Sequence, residues 1–439
     1  MKVFGIEERA VRSAIGFAVT AARETTGLST TAMDVGPVDE VSEDVLGERL
    51  FALAAWSCLV EPGDSTAAML VQSLGAERAL EIVIARREAE QILDGLRTAA
   101  PGSVGATALE LPAIAAGRAR WAPRISERPV MEALATARRV GLSLLAPGAD
   151  LWPRQLDDLG VHAPLCMWAR GVTTTLTAAP MVAIVGARAA TSYGEHVAME
   201  LSAELTGRGI VVVSGAAYGI DGVAHRAALA AGGPTIAVLA GGVDRSYPAG
   251  HTDLLDRVAV NGAVLSELAP GAAPTRWRFL QRNRVIAALG EATVVVEAGA
   301  RSGSLNTAGH AATLGRAVGA VPGPVTSAAS AGCHRLLREF DAQCVTSAHD
   351  VIEMLGGGPG GGGGRGDAAA AHGAGGSGSH TDDATRVMDA LSARSWRTPS
   401  DVAARAGLSL ADTEGFLGML ALEGRAVRGD AGWRTARAT

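Results

Sequence analysis

The stretch MVAIVGARAATSYGEHVAMELSAELTGRGIVVVSGAA, Met181 to Ala217, decides the fold. Its first eight residues are almost continuously apolar and end in Gly186-Ala187-Arg188. A helical stretch follows from Ser192 to Gly209, and a second apolar, valine-rich run, Ile210–Ala217, closes the unit. Strands that are apolar on both faces and alternate with helices belong to a parallel sheet covered on both sides. The same alternation recurs through TIAVLAGG (235–242), AVLSELAPG (263–271), ATVVVEAG (292–299) and AVGAVPG (317–323), and AQCVTS (342–347) adds a last short strand. The expected fold class is α/β, a doubly wound (Rossmann-like) parallel sheet.

Working outward, residues 1–46 read as a poorly defined extension and residues 47–120 as a helical domain with apolar residues every three or four positions, punctuated by Pro62 and Gly75. The core is expected over 121–355. Residues 356–380, GGGPGGGGGRGDAAAAHGAGGSGSH, cannot pack a core and read as a Gly-rich linker. The remainder, 381–439, carries three helical stretches and a short hairpin, the pattern of a winged helix-turn-helix.

The 439-residue chain is acidic, with net charge −6, yet no Asp or Glu lies between Leu268 and Gly290. Arg276, Arg278, Arg282 and Arg284 crowd there around Trp277 and Phe279, although aromatics make up only 4% of the chain. The one lysine is Lys2, so anions meet guanidinium groups, which grip phosphate bidentately. Cys58, Cys166, Cys333 and Cys344 have no C-x-x-C spacing and read as reduced and mostly buried. Glu7 and Glu8 stand where a signal peptide needs an apolar run, and no stretch reads as a membrane span, so a cytoplasmic protein is expected.

Ligands of open parallel sheets bind beyond the carboxyl ends of the strands. Those ends carry Gly186 and Arg188, then Ser214, Gly215 and Gly219, with glycine where backbone must approach closely. Ser302-Gly303-Ser304 opens a helix whose free N–H groups suit an anion. G-x-G-x-x-G is missing after the first strand, and no G-K-[ST] exists, so neither a dinucleotide nor an ATP cofactor is expected. Arginine interleaved with rings suits a single nucleic-acid strand, phosphates on guanidinium and bases on rings. The competing reading is a solvated edge with salt bridges. Arg282 and Arg284 point about 200° apart on a helix, so one of them is expected in an ion pair with Glu297 or Glu267.

In order along the chain, VGAR (185–188), SGAAYGIDGVAH (214–225), GGVDRSYP (241–248), SELAPG (266–271), the F-x-x-RNR segment (279–284), VVVEAGARSGSLNTA (294–308) and VPG (321–323) resemble the DNA-processing protein A family, DprA or Smf. The resemblance runs from about 141 to 355. It implies a non-enzymatic homodimer without a nucleotide cofactor that binds incoming single-stranded DNA in natural transformation, protects it and loads the recombinase RecA. It also implies a sterile-alpha-motif-like domain before the core and a winged helix after it. Carried over residue by residue, the DNA pocket uses Arg188, Ser214, Gly215, Arg276, Arg278, Phe279, Arg282, Asn283 and Arg284, with arginine here where the family often has lysine.

Two alternatives stand beside this one. A nucleotide phosphoribohydrolase on the same fold would need a carboxylate just past the glycines, but after ARSGSLNTAGH no Asp or Glu occurs until Glu339. A winged-helix transcription regulator would need basic or amide side chains on its reading helix, but LADTEGFLGMLALEG offers Asp412, Glu414 and Glu423 instead. Asp221 and His225 read as structural, Asp244 and Tyr247 as fixing a turn, and Trp277 as either a base platform or a buried anchor at a dimer seam. No metal-ligand spacing is present.

Overall fold

The computed structural model describes residues 8–25, 43–356 and 382–436. Nine strands form one sheet: β1 (Ser143–Leu145), β2 (Met167–Gly171), β3 (Met181–Val185), β4 (Val211–Ser214), β5 (Thr235–Val238), β6 (Ala263–Ser266), β7 (Ala292–Val295), β8 (Ala317–Ala320) and β9 (Gln343–Cys344). The order is β1-β2-β6-β5-β4-β3-β7-β8-β9. From β6 to β9 every pair is parallel. Every residue of β3 to β7 is buried, because helices cover both faces and leave the strands no wet side. β1 and β2 extend the sheet antiparallel, with Trp168 opposite Ser266. Neither is anticipated from the sequence: β1 has three residues, and β2 ends in Arg170-Gly171 rather than in an apolar run.

Strand order reverses between β3 and β7. β4 to β6 build outward from one side of β3, and the chain then crosses back to lay β7 on the other. This opens a crevice at the carboxyl ends of the two strands.

The region before the sheet is helical: Glu43–Leu59, Ser65–Leu74, Ala76–Ile84, Ala89–Ala99, Leu111–Trp121 and Glu127–Val140 are its main helices. A further helix, Glu8–Thr25, lies where the sequence reading has no element, and it buries Val11, Ile15 and Ala18 along one face. These helices share one apolar cluster with the sheet, since Phe51, Trp56 and Trp121 lie in the same core as Trp168, Leu239 and Val264.

The joint is the loop Glu61-Pro62-Gly63-Asp64. Asp64 caps the next helix at Ala67 N (3.1 Å) and accepts from the Trp121 indole (2.9 Å). Gly63 N–H donates to Glu267 (3.2 Å), the partner of Arg284 (2.7 Å). Glu61 receives two bonds from Arg278 (2.7 and 3.0 Å) and one from Arg124. Burial alone would raise the Glu61 carboxyl, but the Arg278 and Arg124 charges outweigh it and hold it at about 2.

After residues 357–381, which hold nearly all of the Gly-rich stretch and lie outside the described residues, come helices Asp383–Ala390, Pro399–Ala406 and Leu410–Leu422 and the antiparallel pair β10 (Ala426–Gly429) and β11 (Gly432–Thr435). This unit rests on the rest of the chain. Arg124 Nε donates to Ala404 O (2.6 Å), and the Arg386 guanidinium lies 4.9 Å from the centre of the Trp277 ring. Among the described residues no helix is long and apolar enough to cross a membrane.

Glu61→Gln leaves two buried guanidiniums without their counter-ion, which costs about 3–5 kcal/mol. A carboxylate held low in the fold stabilises above its unfolded pKa of about 4.3 and loses that contribution as pH falls toward its folded value of about 2. Denaturant unfolding of wild type and Glu61→Gln is therefore expected to show a gap that is full above about pH 5 and closes toward pH 2; a gap independent of pH would contradict the pairing.

Candidate nucleic-acid interface

A cleft of about 870 Å³ occupies the switch between β3 and β7. Its walls are the loop Gly186–Arg188 after β3, the segment Gly299–Ser304 after β7, and the start of helix Arg276–Leu289, with Tyr247 at one side.

The Gly186–Arg188 loop is clamped from two directions. Glu297, buried just past β7, accepts from Thr191 N (2.9 Å) and Thr191 Oγ1 (2.6 Å), which fastens the loop's far end across the switch. On the other side Ile220 N donates to Ala187 O (3.2 Å). Gly219, at φ +75°, lies so close that a Cβ there would sit 2.2 Å from Ala187 O. Glu297 thus braces the loop, and Gly219 supports it without lining the cleft.

Arg188 is exposed and has no carboxylate partner among the described residues. Its guanidinium sits 4.8 Å from the centre of the Phe279 ring, and Tyr247 meets the same ring at 5.5 Å. Arg282, buried beneath, stands 5.8 Å from that ring. It donates to Gly215 O (2.7 Å) and to Val238 O, stitching the carboxyl ends of β4 and β5. Burial lowers the Arg282 pKa to about 10, with Asp221 opposing and Arg188 adding to the shift. Two cations therefore crowd one ring, and the buried acid near them, Asp221, is committed to the backbone N–H of Gly215 (3.1 Å) and Ala217 (3.4 Å).

The opposite wall belongs to the second helix start. Ser302, Gly303 and Ser304 line the cleft at the N-terminus of helix Ser304–Thr313, and Asn283 braces this turn by donating to Gly303 O (3.2 Å). Arg301, exposed and also without a carboxylate partner among the described residues, stands beside it.

Of the residues to which the sequence points, the structure brings Gly186, Arg188, Arg276, Phe279, Arg282, Asn283, Ser302 and Gly303 to this cleft. Gly215 backs it, where a Cβ would strike the Arg282 guanidinium at 2.4 Å. Ser214 is fully buried and gives its hydroxyl to Ile184 O (2.6 Å). Arg278 and Arg284 turn away to Glu61 and Glu267. Glu267 is one of the two ion-pair partners anticipated for the R-N-R segment. Trp277 lies under Arg386 of the C-terminal unit and outside the cleft. Asp244 does fix a turn, by accepting from Gly271 N (2.8 Å), whereas Tyr247 lines the cleft. Arg301 and Asp389 also line it, beyond the residues that the sequence reading marks. Arg301 sits in the quoted ARSGS motif, while Asp389 comes from a distant unit and leaves no local signal. Its carboxylate accepts from Arg276 N (3.2 Å) and lies 3.9 Å from Arg276 Nε.

Comparison with known proteins identifies the family. The family model described as DNA recombination-mediator protein A matches residues 143–356. A putative DNA processing protein DprA of Mycobacterium tuberculosis is 47% identical over 315 residues, 68% of this chain and 78% of that protein. The DNA processing protein DprA of Bacillus subtilis is 37% identical over 222 residues, 51% of this chain and 74% of that protein. The X-ray structure of DprA from Streptococcus pneumoniae superposes with a TM-score of 0.55 at 28% identity, covering 70% of this chain and 97% of that one. On its motifs, its sheet and these relatives, the chain belongs to the DNA-processing protein A (DprA/Smf) family.

Proposed function

We propose that the cleft between β3 and β7 binds single-stranded DNA, and that the protein, as a homodimer, shields the strand and passes it to the RecA recombinase. One observation carries the binding reading. At the mouth of the cleft, Arg188 is a guanidinium without a carboxylate partner among the described residues, resting 4.8 Å from the centre of a cleft-lining ring, Phe279. A phosphate satisfies the first and a base stacks beside the second. Ser302 and Gly303 at the helix start, with Arg301 and Arg276, supply further anion contacts. Arg282, Asn283, Gly215, Gly219 and Ser214 hold the walls in place, and Arg278 and Arg284 hold the helical region to the sheet. Family membership supports the transfer to the recombinase, protection of the strand and the dimer.

The phosphoribohydrolase alternative needs a carboxylate free to act on a ribosyl bond. The acids lining the cleft are Asp221, tied to two backbone N–H groups, and Asp389, tied to Arg276. Binding without catalysis, and without a nucleotide cofactor, fits this lining better. The C-terminal three helices and hairpin read as a winged helix, but the helix Leu410–Leu422 carries no basic residue, and its Asp412 is bound to Ser409 (2.6 Å). It suits a packing role better than duplex reading.

Arg188→Ala removes an exposed cation and should leave the fold intact. It is expected to weaken single-strand binding at least tenfold, and to flatten the plot of log affinity against log salt by about 0.7 for each phosphate no longer neutralised. Wild-type affinity and slope would refute the assignment. Asp389 occupies the helix start where a phosphate would sit, so Asp389→Asn is expected to raise affinity about two- to fivefold, within the range of a charge at a helix terminus; unchanged or lower affinity would show that its carboxylate does not compete.

A further inference from the structure

A second cleft, about 850 Å³, lies along the same carboxyl edge of the sheet, between the loops after β5 and β6 and the helix Glu127–Val140. A single ridge parts it from the first: Leu268 to Ala272 line the second cleft, and Pro274 to Arg276 line the first. We propose that this second cleft is a phosphate-binding track that carries the same single strand onward past Tyr247. The proposal rests on the reading of the first cleft as a single-strand site.

Three exposed arginines from three separate parts of the chain converge on it: Arg139 from the last turn of helix Glu127–Val140, Arg245 from the loop after β5, and Arg405 from the last turn of helix Pro399–Ala406. Arg139 and Arg405 have no carboxylate partner among the described residues, and Arg245 reaches Asp244 only at 3.6 Å. The acids present are already engaged. Glu132 pairs with Arg128 (2.7 Å), and Asp244 accepts from Gly271 N (2.8 Å). The cleft's other two arginines, Arg124 and Arg278, are buried and share the single carboxylate of Glu61. What faces solvent is therefore net positive, in a chain whose overall charge is −6.

The two clefts differ in a way that assigns them different tasks. The first offers Phe279 and Tyr247. Among the described residues the second is lined by no aromatic ring, so it offers charge to the phosphates rather than a ring platform to the bases. A polyanion long enough to cross the ridge would use both, whereas a short one would use the first alone. None of the three arginines is near another in sequence, so the track is invisible to a search for basic runs and exists only once the helical region and the C-terminal unit have docked.

The test uses the full chain and two oligothymidylates, one of about six nucleotides, near the short end of the usual single-strand site sizes, and one of about twenty, beyond their long end. In the triple variant Arg139→Gln, Arg245→Gln, Arg405→Gln, affinity for the longer strand is expected to fall on the order of tenfold, with a salt slope shallower by about 2, while the shorter strand binds within about twofold of wild type. Arg188→Ala is measured alongside and should weaken both lengths. If Arg188→Ala weakens both lengths and the triple variant binds the longer strand like wild type, the track is refuted and the first cleft stands. If the triple variant weakens binding and Arg188→Ala does not, the second cleft is a site in its own right and the reading of the first fails. If neither variant matters, both fall.

Discussion

A positive charge buried at the carboxyl edge of the sheet must be answered there, and Arg282 sets the geometry around that answer. Its guanidinium is only 7% exposed and is met by the carbonyls of Gly215 and Val238, with the Asp221 charge close by. Burying an ion costs several kcal/mol unless its hydrogen bonds are filled. The turn after β4 is shaped accordingly: Gly215 leaves room for the guanidinium, and Ala216 takes a left-handed φ of 54° that costs a residue with a Cβ about 1–2 kcal/mol. Asp221 then gathers the N–H groups of that turn. Phe279, one turn before Arg282 on the same helix, is thereby held where Arg188 can rest on it.

One acid-free helix thus does several jobs with one residue type. Arg276 points to the cleft rim, Arg278 to the helical region through Glu61, Arg282 into the strand ends, and Arg284 to Glu267. Most of the dense arginine segment is therefore committed to structure rather than open to a ligand. Arg278 and Arg284 join the helices before the sheet to the sheet itself, and Arg282 ties the strand ends together. The loop Glu61–Asp64 supplies the other half of that joint, so the cleft wall and the domain contact share one element.

The parallel sheet was legible because its central strands are apolar on both faces, and the position of the cleft followed from the strand ends. The side on which each arginine falls was legible only in part. Helical geometry separates Arg282 from Arg284 and places Glu267 among the acids that one of them meets, but nothing local shows that Arg278 turns to Glu61, 217 residues away. Ser214 and Gly215 looked alike as turn residues, yet the side chain of one points into the sheet and the backbone of the other receives Arg282. β1 and β2 are too short and too mixed to read as strands. Helix Glu8–Thr25 is amphipathic and could have been found by its Val11, Ile15, Ala18 spacing. The Asp389 and Arg405 contributions come from a unit joined through residues outside the described ones, and no linear pattern announces them.

Bases stacking at the Tyr247–Phe279 pair while phosphates meet Arg188 is the arrangement on which the proposed binding turns. Photo-crosslinking with a single strand carrying a photoreactive thymine analogue, followed by mass spectrometry of the adducts, tests it most directly. Adducts at Tyr247 and Phe279 that disappear in Arg188→Ala are the predicted result. Adducts at Trp277 or on the C-terminal hairpin, with none at Tyr247 or Phe279, would contradict it.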